Sequence, residues 1–504
     1  MLFASTLKLP LYSDISSLDP RVGSESTNNT FLGQIYESLF KYDSEGNVVP
    51  ALCEKWDVSE DGLTYTFYLR DSQWSDGSPC TAYDFEHTWK KSCNPKYVER
   101  ATYTMYPIKN AKRAVLRECG LDEMGVKALD SKTLRVDLEF PSNYLFKACC
   151  AFVNYKPISK KMDLENPDWA KNWKKFLVTN GAFKLKEWKQ NNEIILEKNP
   201  KYWDKDAVKL DGVHFYIITD PNTTWSMFQK GDLDWVGELL CAIPQDALNP
   251  KEISKLLKTE TNTVDWCCIN TTKFPFNNKN FRKAIAYAMN RKEISDHLFY
   301  LGNKNPTTSF INGSVTLKPH EYFEDGNEEL AKKYFQKALK ETGKSPKDFA
   351  FTYSYRSGFP HIGEILQEKM RLIFNIPVEL EQKEWNVYFA EARAGNFQIC
   401  EMLWYSNIPD PFFYLSVFER ASEPLNIPRW ESPVYQYLFN KGCYCNDPDR
   451  KKMYYQLAEE HMIDEMPLIP LFQKIATYQT NPKLKGYYFS PGFYIDFKHA
   501  YFED

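Results

Sequence analysis

The sequence lacks the motifs through which covalent chemistry is usually recognised. It contains no G-x-S-x-G nucleophile elbow and no H-E-x-x-H zinc motif, and its seven histidines form no ligand pair at helical spacing. The stretch KETGKSP around Gly343 is similar to the end of a phosphate loop, but Ala338 stands where that motif requires its first glycine. These absences favour a binding protein over an enzyme, and we expect no cofactor.

The twelve cysteines match no metal-binding pattern. Cys149 and Cys150 are adjacent, as are Cys267 and Cys268, whereas zinc-binding pairs have about two to four intervening residues. Buried free thiols are the simplest interpretation of such cysteines. We therefore expect no metal site.

No apolar run reaches the roughly 18 to 20 residues of a membrane span. The first residues, MLFASTLKLPLYSDISSLDP, show no basic segment followed by a long apolar one. The chain is therefore expected to be either cytoplasmic or a mature protein whose export signal has been removed. The net charge of −4 gives no reason to expect nucleic acid or an anionic membrane as a partner.

The chain has 504 residues, which is too long for one compact core, so two or three domains are expected. Aromatic residues reach 16%, which fits either aromatic-rich cores or a cleft lined by rings. No internal repeat or Gly/Ser linker is present. We therefore expect segments that are distant in sequence to share one domain.

Local patterns in the first half predict short strands and one well-capped helix. Tyr65, Phe67 and Leu69 alternate as in a half-buried strand. Thr81 is a good N-cap, and Asp84 at the third helical position favours the helix dipole. Four apolar residues recur at helical spacing and predict a helix: Phe31, Ile35, Leu39 and Phe40.

Strand and helix patterns alternate in the second half. FNNKNFRKAIAYAMNRKEISDHLF predicts an amphipathic helix pair, and NEELAKKYFQKALKETG predicts a helix that ends at Gly343. FAFTYSYRSG, IPVELEQKEW and FQICEMLWYS predict strands with helices between them. Such alternation predicts an α/β fold with a parallel or mixed sheet.

The stretch LWYSNIPDP, residues 403–411, ends a predicted strand abruptly. A Trp-Tyr pair leads into Ser406 and Asn407, and a Pro-Asp-Pro turn follows. This break either terminates an ordinary strand or presents side chains to a ligand.

Several stretches together resemble the extracytoplasmic solute-binding proteins of peptide ABC transporters, the oligopeptide- and dipeptide-binding family (bacterial extracellular solute-binding family 5). They follow the family's order and cover nearly the whole chain. The stretches are SSLDP, PALCEKWDVSEDGLTYTFYLRDSQWSDGSPCTAYDF, GVKALDSKTLRV, TNGAFKLKEW, LEKNPKYWD, FQKGDLDW, PFNNKNFRKAIAYAMNRKEI and QKEW.

The resemblance implies a two-lobed periplasmic-binding-protein fold of type II, in the large three-domain subgroup, with a two-strand hinge. Lobe 1 is expected in three segments, with an extra domain packed on it and lobe 2 inserted. The expected boundaries are 1–42, 160–265 and 475–504 for lobe 1, 43–159 for the extra domain, and 266–474 for lobe 2.

The resemblance also implies a monomeric receptor that captures short peptides or peptide conjugates and delivers them to ABC permease subunits in the cytoplasmic membrane. The expected location is periplasmic or otherwise extracytoplasmic, and lipid anchoring before processing is an alternative. Three other functions stay open: the same fold binding a metal chelate, haem or sugar conjugate, a hydrolase, and a chaperone-like surface protein.

When the binding residues of the family are transferred to the matching positions of this sequence, the resemblance implies a ligand site around LWYSNIPDP. Trp404 and Trp385 match pocket tryptophans, and Arg393 is retained. His361 lies near a family histidine, and Lys474 falls near a family tyrosine. The full predicted set is Trp404, Tyr405, Ser406, Asn407, Trp385, Arg393, Glu401, His361, Lys474, Tyr103, Glu25, Ser26 and Trp266.

Three positions depart from the family pattern. Asn407 replaces an Asp that pairs with the α-ammonium of the ligand, and Glu401 replaces an Arg that helps receive its carboxylate. Tyr405 stands where some relatives have a bridging Cys, so that disulfide is expected to be absent. Two explanations stay open: the ligand lacks an ordinary free amino terminus, or Glu401 supplies the missing carboxylate.

Overall fold

The computed structural model describes residues 5–22, 26–95, 102–141, 144–299, 301–312, 315, 317, 321–357, 360–423, 425–445, 447–492 and 494–504, and for Ser26 and Tyr103 it describes the backbone only. Contacts divide the chain into two units. Unit 1 comprises Met1–Thr259 and Ala476–Asp504, and unit 2 comprises Glu260–Ile475. None of the described helices is long and apolar enough to cross a membrane.

The strands are, in chain order, β1 (Thr6–Leu11), β2 (Phe40–Tyr42), β3 (Val48–Pro50), β4 (Cys53–Val58), β5 (Thr64–Leu69), β6 (Val126–Ala128), β7 (Thr133–Asp137), β8 (Phe183–Lys189), β9 (Glu193–Lys198), β10 (Gly212–Ile217), β11 (Trp235–Gly237), β12 (Leu257–Ile269), β13 (Lys304–Pro306), β14 (Phe351–Arg356), β15 (Val378–Lys383), β16 (Ile399–Tyr405), β17 (Leu468–Thr480), β18 (Leu484–Lys485), β19 (Tyr488–Ser490), β20 (Tyr494–Asp496) and β21 (Tyr501–Phe502).

The α-helices are α1 (Ser26–Ile35), α2 (Ala82–Ser92), α3 (Ala111–Val115), α4 (Tyr144–Ala151), α5 (Lys160–Glu165), α6 (Trp173–Phe176), α7 (Pro221–Lys230), α8 (Pro250–Ile253), α9 (Lys279–Ala288), α10 (Arg291–Leu298), α11 (Glu328–Thr342), α12 (His361–Phe374), α13 (Trp385–Ala394), α14 (Pro411–Leu415), α15 (Pro433–Cys443) and α16 (Pro448–Glu465).

Unit 1 contains two four-stranded sheets, with the strand orders β1-β10-β9-β8 and β4-β5-β7-β6. The second sheet and helix α2 lie within the extra domain that the resemblance implies. Helix α2 begins where predicted, because the Asp84 carboxylate accepts a hydrogen bond from the backbone N–H of Thr81 at 2.7 Å. Phe85 and Trp89 are buried on one face of that helix.

Helix α1 is shorter than its apolar spacing predicts. It ends at Ile35, and Phe40 instead pairs with Pro50 in the antiparallel ladder of β2 and β3. The buried residues Leu39 and Phe40 thus contribute to the core from outside the helix. Periodicity correctly predicted their burial but not their conformation.

Unit 2 is built on a mixed sheet, as the alternation predicts. Its strands follow the order β17-β12-β16-β14-β15, and β13 pairs with β17. Strand β14 is parallel to both β15 and β16, whereas β16 is antiparallel to β12. Helix α11 ends at Gly343, which has a φ of +67°. A helix therefore precedes Gly343, where a phosphate loop would need a strand.

The chain passes between the units twice, and both passages lie inside long strands. The division falls after Thr259, within β12, and after Ile475, within β17. Within unit 2, the Thr261 hydroxyl donates to the backbone oxygen of Lys474 at 2.6 Å, which joins the two strands near these passages.

Candidate ligand-binding site

Strand β16 carries three of the predicted site residues, Glu401, Trp404 and Tyr405, and no described strand covers part of one of its edges. On one side β16 pairs with β12 along its whole length. On the other side β14 pairs only with Ile399 and Cys400. Among the described residues, no strand pairs with residues 401–404 on that second side, although the Tyr388 hydroxyl donates to the backbone oxygen of Glu401. An unpaired edge offers backbone N–H and C=O groups to an added strand.

Side chains along β16 alternate between its two faces. Glu401, Leu403 and Tyr405 share one face, where Leu403 is 46% exposed and Tyr405 is 36% exposed. Met402 and Trp404 occupy the opposite face, and both pack on the core of unit 2. The predicted residues Glu401 and Tyr405 are therefore separated from Trp404 by the strand itself.

Trp266 and Trp404 share the core face. Trp266 stands opposite Met402 in the β12–β16 ladder, and its ring packs edge-to-face on Phe310 with centroids 5.6 Å apart. Trp266 is buried, whereas Trp404 is half-buried. The indole Nε1 atoms of both tryptophans are buried and have no hydrogen-bond partner among the described residues. Buried donors without a partner are uncommon in folded proteins.

The turn after β16 places an uncharged amide at the end of the strand. The backbone N–H of Ser406 donates to the backbone oxygen of Asn262 at 3.0 Å, and the Ser406 hydroxyl donates to the backbone oxygen of Ile408. Asn407 is buried, and its Oδ1 has no hydrogen-bond partner within the described part of the chain. Asp410 then caps helix α14, so the predicted break is both a strand end and a helix start.

The carboxylate of Glu401 is the unpaired charge on the exposed face of β16. No hydrogen bond or ion pair joins it to any other described residue, whereas its backbone oxygen accepts a hydrogen bond from the Tyr388 hydroxyl. Burial raises the pKa of Glu401 to about 7, although Lys304 and Arg356 oppose that shift. Asp265 also raises the pKa, but the Lys304 ammonium pairs with Asp265 at 2.6 Å.

Trp385 begins helix α13 and is 42% exposed. Its ring stacks on Phe389, with centroids 5.4 Å apart and an interplanar angle of 22°. The guanidinium of Arg356 lies 5.8 Å from the centroid of the Trp385 ring, and that of Arg393 lies 6.0 Å from the Phe389 ring. Because the hydroxyl of Tyr388, on the same helix, donates to the backbone oxygen of Glu401, this aromatic group lies near strand β16.

The remaining predicted residues are more dispersed. His361 begins α12, is exposed, and lies 3.8 Å from Glu364. Lys474 is half-buried in β17 and stands opposite Lys304 of β13. Glu25 lies outside the described residues. Ser26 begins α1 and Tyr103 lies in a 3-10 helix (Thr102–Met105), but their side chains are outside the described part of the molecule.

Three charged residues near Glu401 were not predicted: Asp265, Lys304 and Arg356. Each comes from a different strand, β12, β13 and β14 respectively. No local motif marks them, because only the sheet topology brings them together. The sequence contained one indication of this charged group: Asp265 lies in VDWCCIN, a stretch in which apolar residues dominate.

Comparison with known proteins identifies the family to which this chain is similar. The model of "Bacterial extracellular solute-binding proteins, family 5 Middle" matches residues 47–424. The oligopeptide-binding protein OppA of Bacillus subtilis (strain 168) is 33% identical and aligns over 99% of this chain and 93% of its own. The dipeptide-binding protein DppE of the same organism is 32% identical over 96% of this chain and 90% of its own.

A solved structure is similar over the whole length. Haemophilus influenzae OppA, in complex with RPPGFSPFR, has a TM-score of 0.82 at 25% identity and aligns over 99% of both chains. The two-lobed α/β fold that the resemblance implies is thereby confirmed.

Proposed function

Because the chain belongs to the bacterial extracellular solute-binding proteins of family 5, we propose that it is the peptide receptor of an ABC transporter. It captures short peptides or peptide conjugates outside the cytoplasmic membrane and delivers them to a membrane permease. It acts as a monomer, performs no covalent chemistry and needs no cofactor. The peptide-binding role is supported by the relatives, and the edge of β16 that β14 leaves unpaired supports the proposed mode of binding.

The edge of β16 at residues 401–404 carries this proposal, because no described strand pairs with it on the side of β14. The Tyr388 hydroxyl occupies the backbone oxygen of Glu401 at one end of that edge. A peptide that adds to a strand edge is bound through its main chain, so binding tolerates many sequences. Half-exposed Leu403, Tyr405 and Trp385 stand beside that edge, where apolar area and rings can contact ligand side chains. Large apolar side chains exposed together on one face are typical of a binding surface.

The direct test is native mass spectrometry of freshly purified protein, followed by denaturing release and identification of whatever co-purifies. A ladder of short peptides, or one peptide conjugate, is the expected result. A sugar, haem or metal chelate in their place would overturn the peptide assignment. Incubated peptides should also stay intact, and their cleavage would support a hydrolase instead.

A pair of variants tests the location of the site. Trp385→Ala should weaken binding of a co-purified peptide by about tenfold, because a half-exposed ring in contact with ligand contributes apolar area. Leu372→Ala is the matched control, since Leu372 is 64% exposed on α12. Equal affinities for both variants, measured by isothermal titration calorimetry, would place the ligand elsewhere.

A further inference from the structure

The free edge of β16 has one charged side chain on its exposed face. Glu401, Leu403 and Tyr405 alternate along that face, and only Glu401 carries a charge. A ligand strand paired with this edge would alternate its own side chains in the same way. One ligand side chain would then lie beside Glu401, next to Leu403 on the same face.

Glu401 forms no close ion pair with the described charges around it, although Lys304 and Arg356 attract its carboxylate and lower its pKa. Asp265 and Lys304 neutralise each other at 2.6 Å, and the Lys304 ammonium also lies 4.4 Å from the Phe299 ring centroid. Arg356 lies over Trp385. Glu401 has no ion pair within the described part of the chain. A half-buried carboxylate without a partner is costly, and a cation supplied by a ligand would remove that cost.

We propose that Glu401 is a specificity-determining residue that binds the ammonium or guanidinium of a basic side chain in the bound peptide. The ligand class is thus peptides with lysine or arginine at the position that lies beside Glu401. This inference rests on the proposed function, because it requires a peptide paired with β16. The exposed ring of Trp385 also suits a cation, since the Arg356 guanidinium already lies 5.8 Å from its centroid.

The interaction requires Glu401 to be ionised, and its surroundings set the pH at which that occurs. The groups that face it are Lys304, Asp265, Arg356, Cys267, Tyr353 and Tyr388, from β13, β12, β14 and α13. With a pKa raised to about 7, Glu401 is mostly protonated at pH 5.5 and mostly ionised at pH 8.5. The preference for a basic peptide should therefore increase as the pH rises through this range.

The experiment compares peptides in which lysine, norleucine or glutamate is placed in turn at each position of an alanine host. Norleucine matches the length of lysine without its charge. By isothermal titration calorimetry at pH 8.5, lysine at one position should bind about tenfold more tightly than norleucine. Glu401→Gln should remove that advantage and leave the norleucine peptide within about twofold of its original affinity.

Two further variants make the result decisive. Glu379→Gln removes an exposed acid of β15 and should leave the lysine preference intact. Glu401→Arg should reverse the preference, so that glutamate binds better than lysine at the same position. Unchanged norleucine binding shows that each variant is folded.

Three results would overturn the inference: no difference between lysine and norleucine at any position, a lysine advantage that persists in Glu401→Gln, or a preference for glutamate in the original protein. A preference for glutamate would indicate that Arg356 and Lys304 bind an acidic side chain of the ligand. If no peptide binds, including the alanine host, then the proposed function itself fails and the inference fails with it.

Discussion

The carboxylate of Glu459 accepts a hydrogen bond from the backbone N–H of Phe310 at 2.9 Å. Glu459 is fully buried in α16, and its Oε1 also accepts from the backbone N–H of Ile311 and the hydroxyl of Ser309. Phe310 in turn packs on Trp266. One buried acid therefore fixes the loop that supports a tryptophan of the predicted site.

Glu459→Ala should lower the free energy of unfolding by about 3 kcal/mol or more, because it leaves several buried donors without an acceptor. Glu459→Gln keeps one acceptor oxygen, and we expect it to cost only about 1 kcal/mol. Urea denaturation measures both values. Asp449→Asn, at an exposed position of the same helix, should change stability little. Similar losses in the Ala and Gln variants would mean that the charge matters more than the acceptor geometry.

Asn407→Asp tests the neutral amide at the end of β16. The buried Oδ1 has no partner among the described residues, and a carboxylate there could pair with a ligand ammonium where an amide can only accept a hydrogen bond. We expect affinity for free-amino peptides to rise about tenfold, with N-acetylated peptides unimproved. Asn277→Asp controls for added charge, since Asn277 is exposed. If free-amino peptides do not bind better to the Asp variant, Asn407 is not what limits them.

Asp163 should dominate the acid sensitivity of unit 1. Its buried carboxylate pairs with Arg21 at 2.9 Å and Lys91 at 2.6 Å, and it accepts a hydrogen bond from the Trp169 indole at 3.1 Å. Hydrogen bonds and these positive charges hold the pKa of Asp163 well below its usual range, although burial opposes them. Stability from the ionised form is therefore present above the unfolded pKa of about 4 and is lost as the pH falls below it.

Asp163→Asn should cost about 3 kcal/mol at pH 7, because it removes a buried carboxylate that forms ion pairs with Arg21 and Lys91, while Arg21 keeps its ion pair with Asp19. The difference from the original protein should shrink as the pH falls below about 4. Urea midpoints, measured by fluorescence at several pH values, provide the test. The exposed pair of Asp168 and Lys171 supplies the control Asp168→Asn, with an expected effect below about 1 kcal/mol. If the stability difference between Asp163→Asn and the original protein does not change with pH, then the loss of stability has a steric cause and does not come from the lost charge.

All twelve cysteines are free thiols in the structure. Cys119 and Cys445 are partly exposed and should react first with a thiol reagent, because the other ten are buried. Burial also raises the pKa of Cys53 and of Cys241 to about 12. Titration of the unfolded, unreduced protein should find about twelve reactive thiols. A markedly lower number would reveal disulfides.

Local chemistry made part of the fold predictable. The strand at Tyr65 and the cap at Thr81 depend on neighbours in sequence, and both were predicted correctly. The helix from Phe31 to Phe40 was predicted too long, because tertiary pairing of Phe40 in β2 overrides its spacing. Helix α16 was not predicted, since its apolar and charged residues do not separate cleanly: Leu457 is 39% exposed while Glu459 is buried.

The site was less predictable than the fold. Resemblance identified Glu401 and Trp385 as candidates, and the structure brings them to one side of β16. The free edge and the partnerless carboxylate could not be predicted, because both depend on which strands pair and which stop short. The assignment of ligand-binding roles to individual residues stays a prediction until the variants are measured.

The division of unit 1 between both ends of the chain has a consequence for biosynthesis. Gln34 donates to the backbone oxygen of Ile495 at 2.8 Å, although the two residues are separated by 461 positions. The ribosome synthesises all of unit 2, Glu260–Ile475, before it makes the segment Ala476–Asp504 that unit 1 requires. Unit 1 is therefore completed only after every residue of unit 2 has been synthesised.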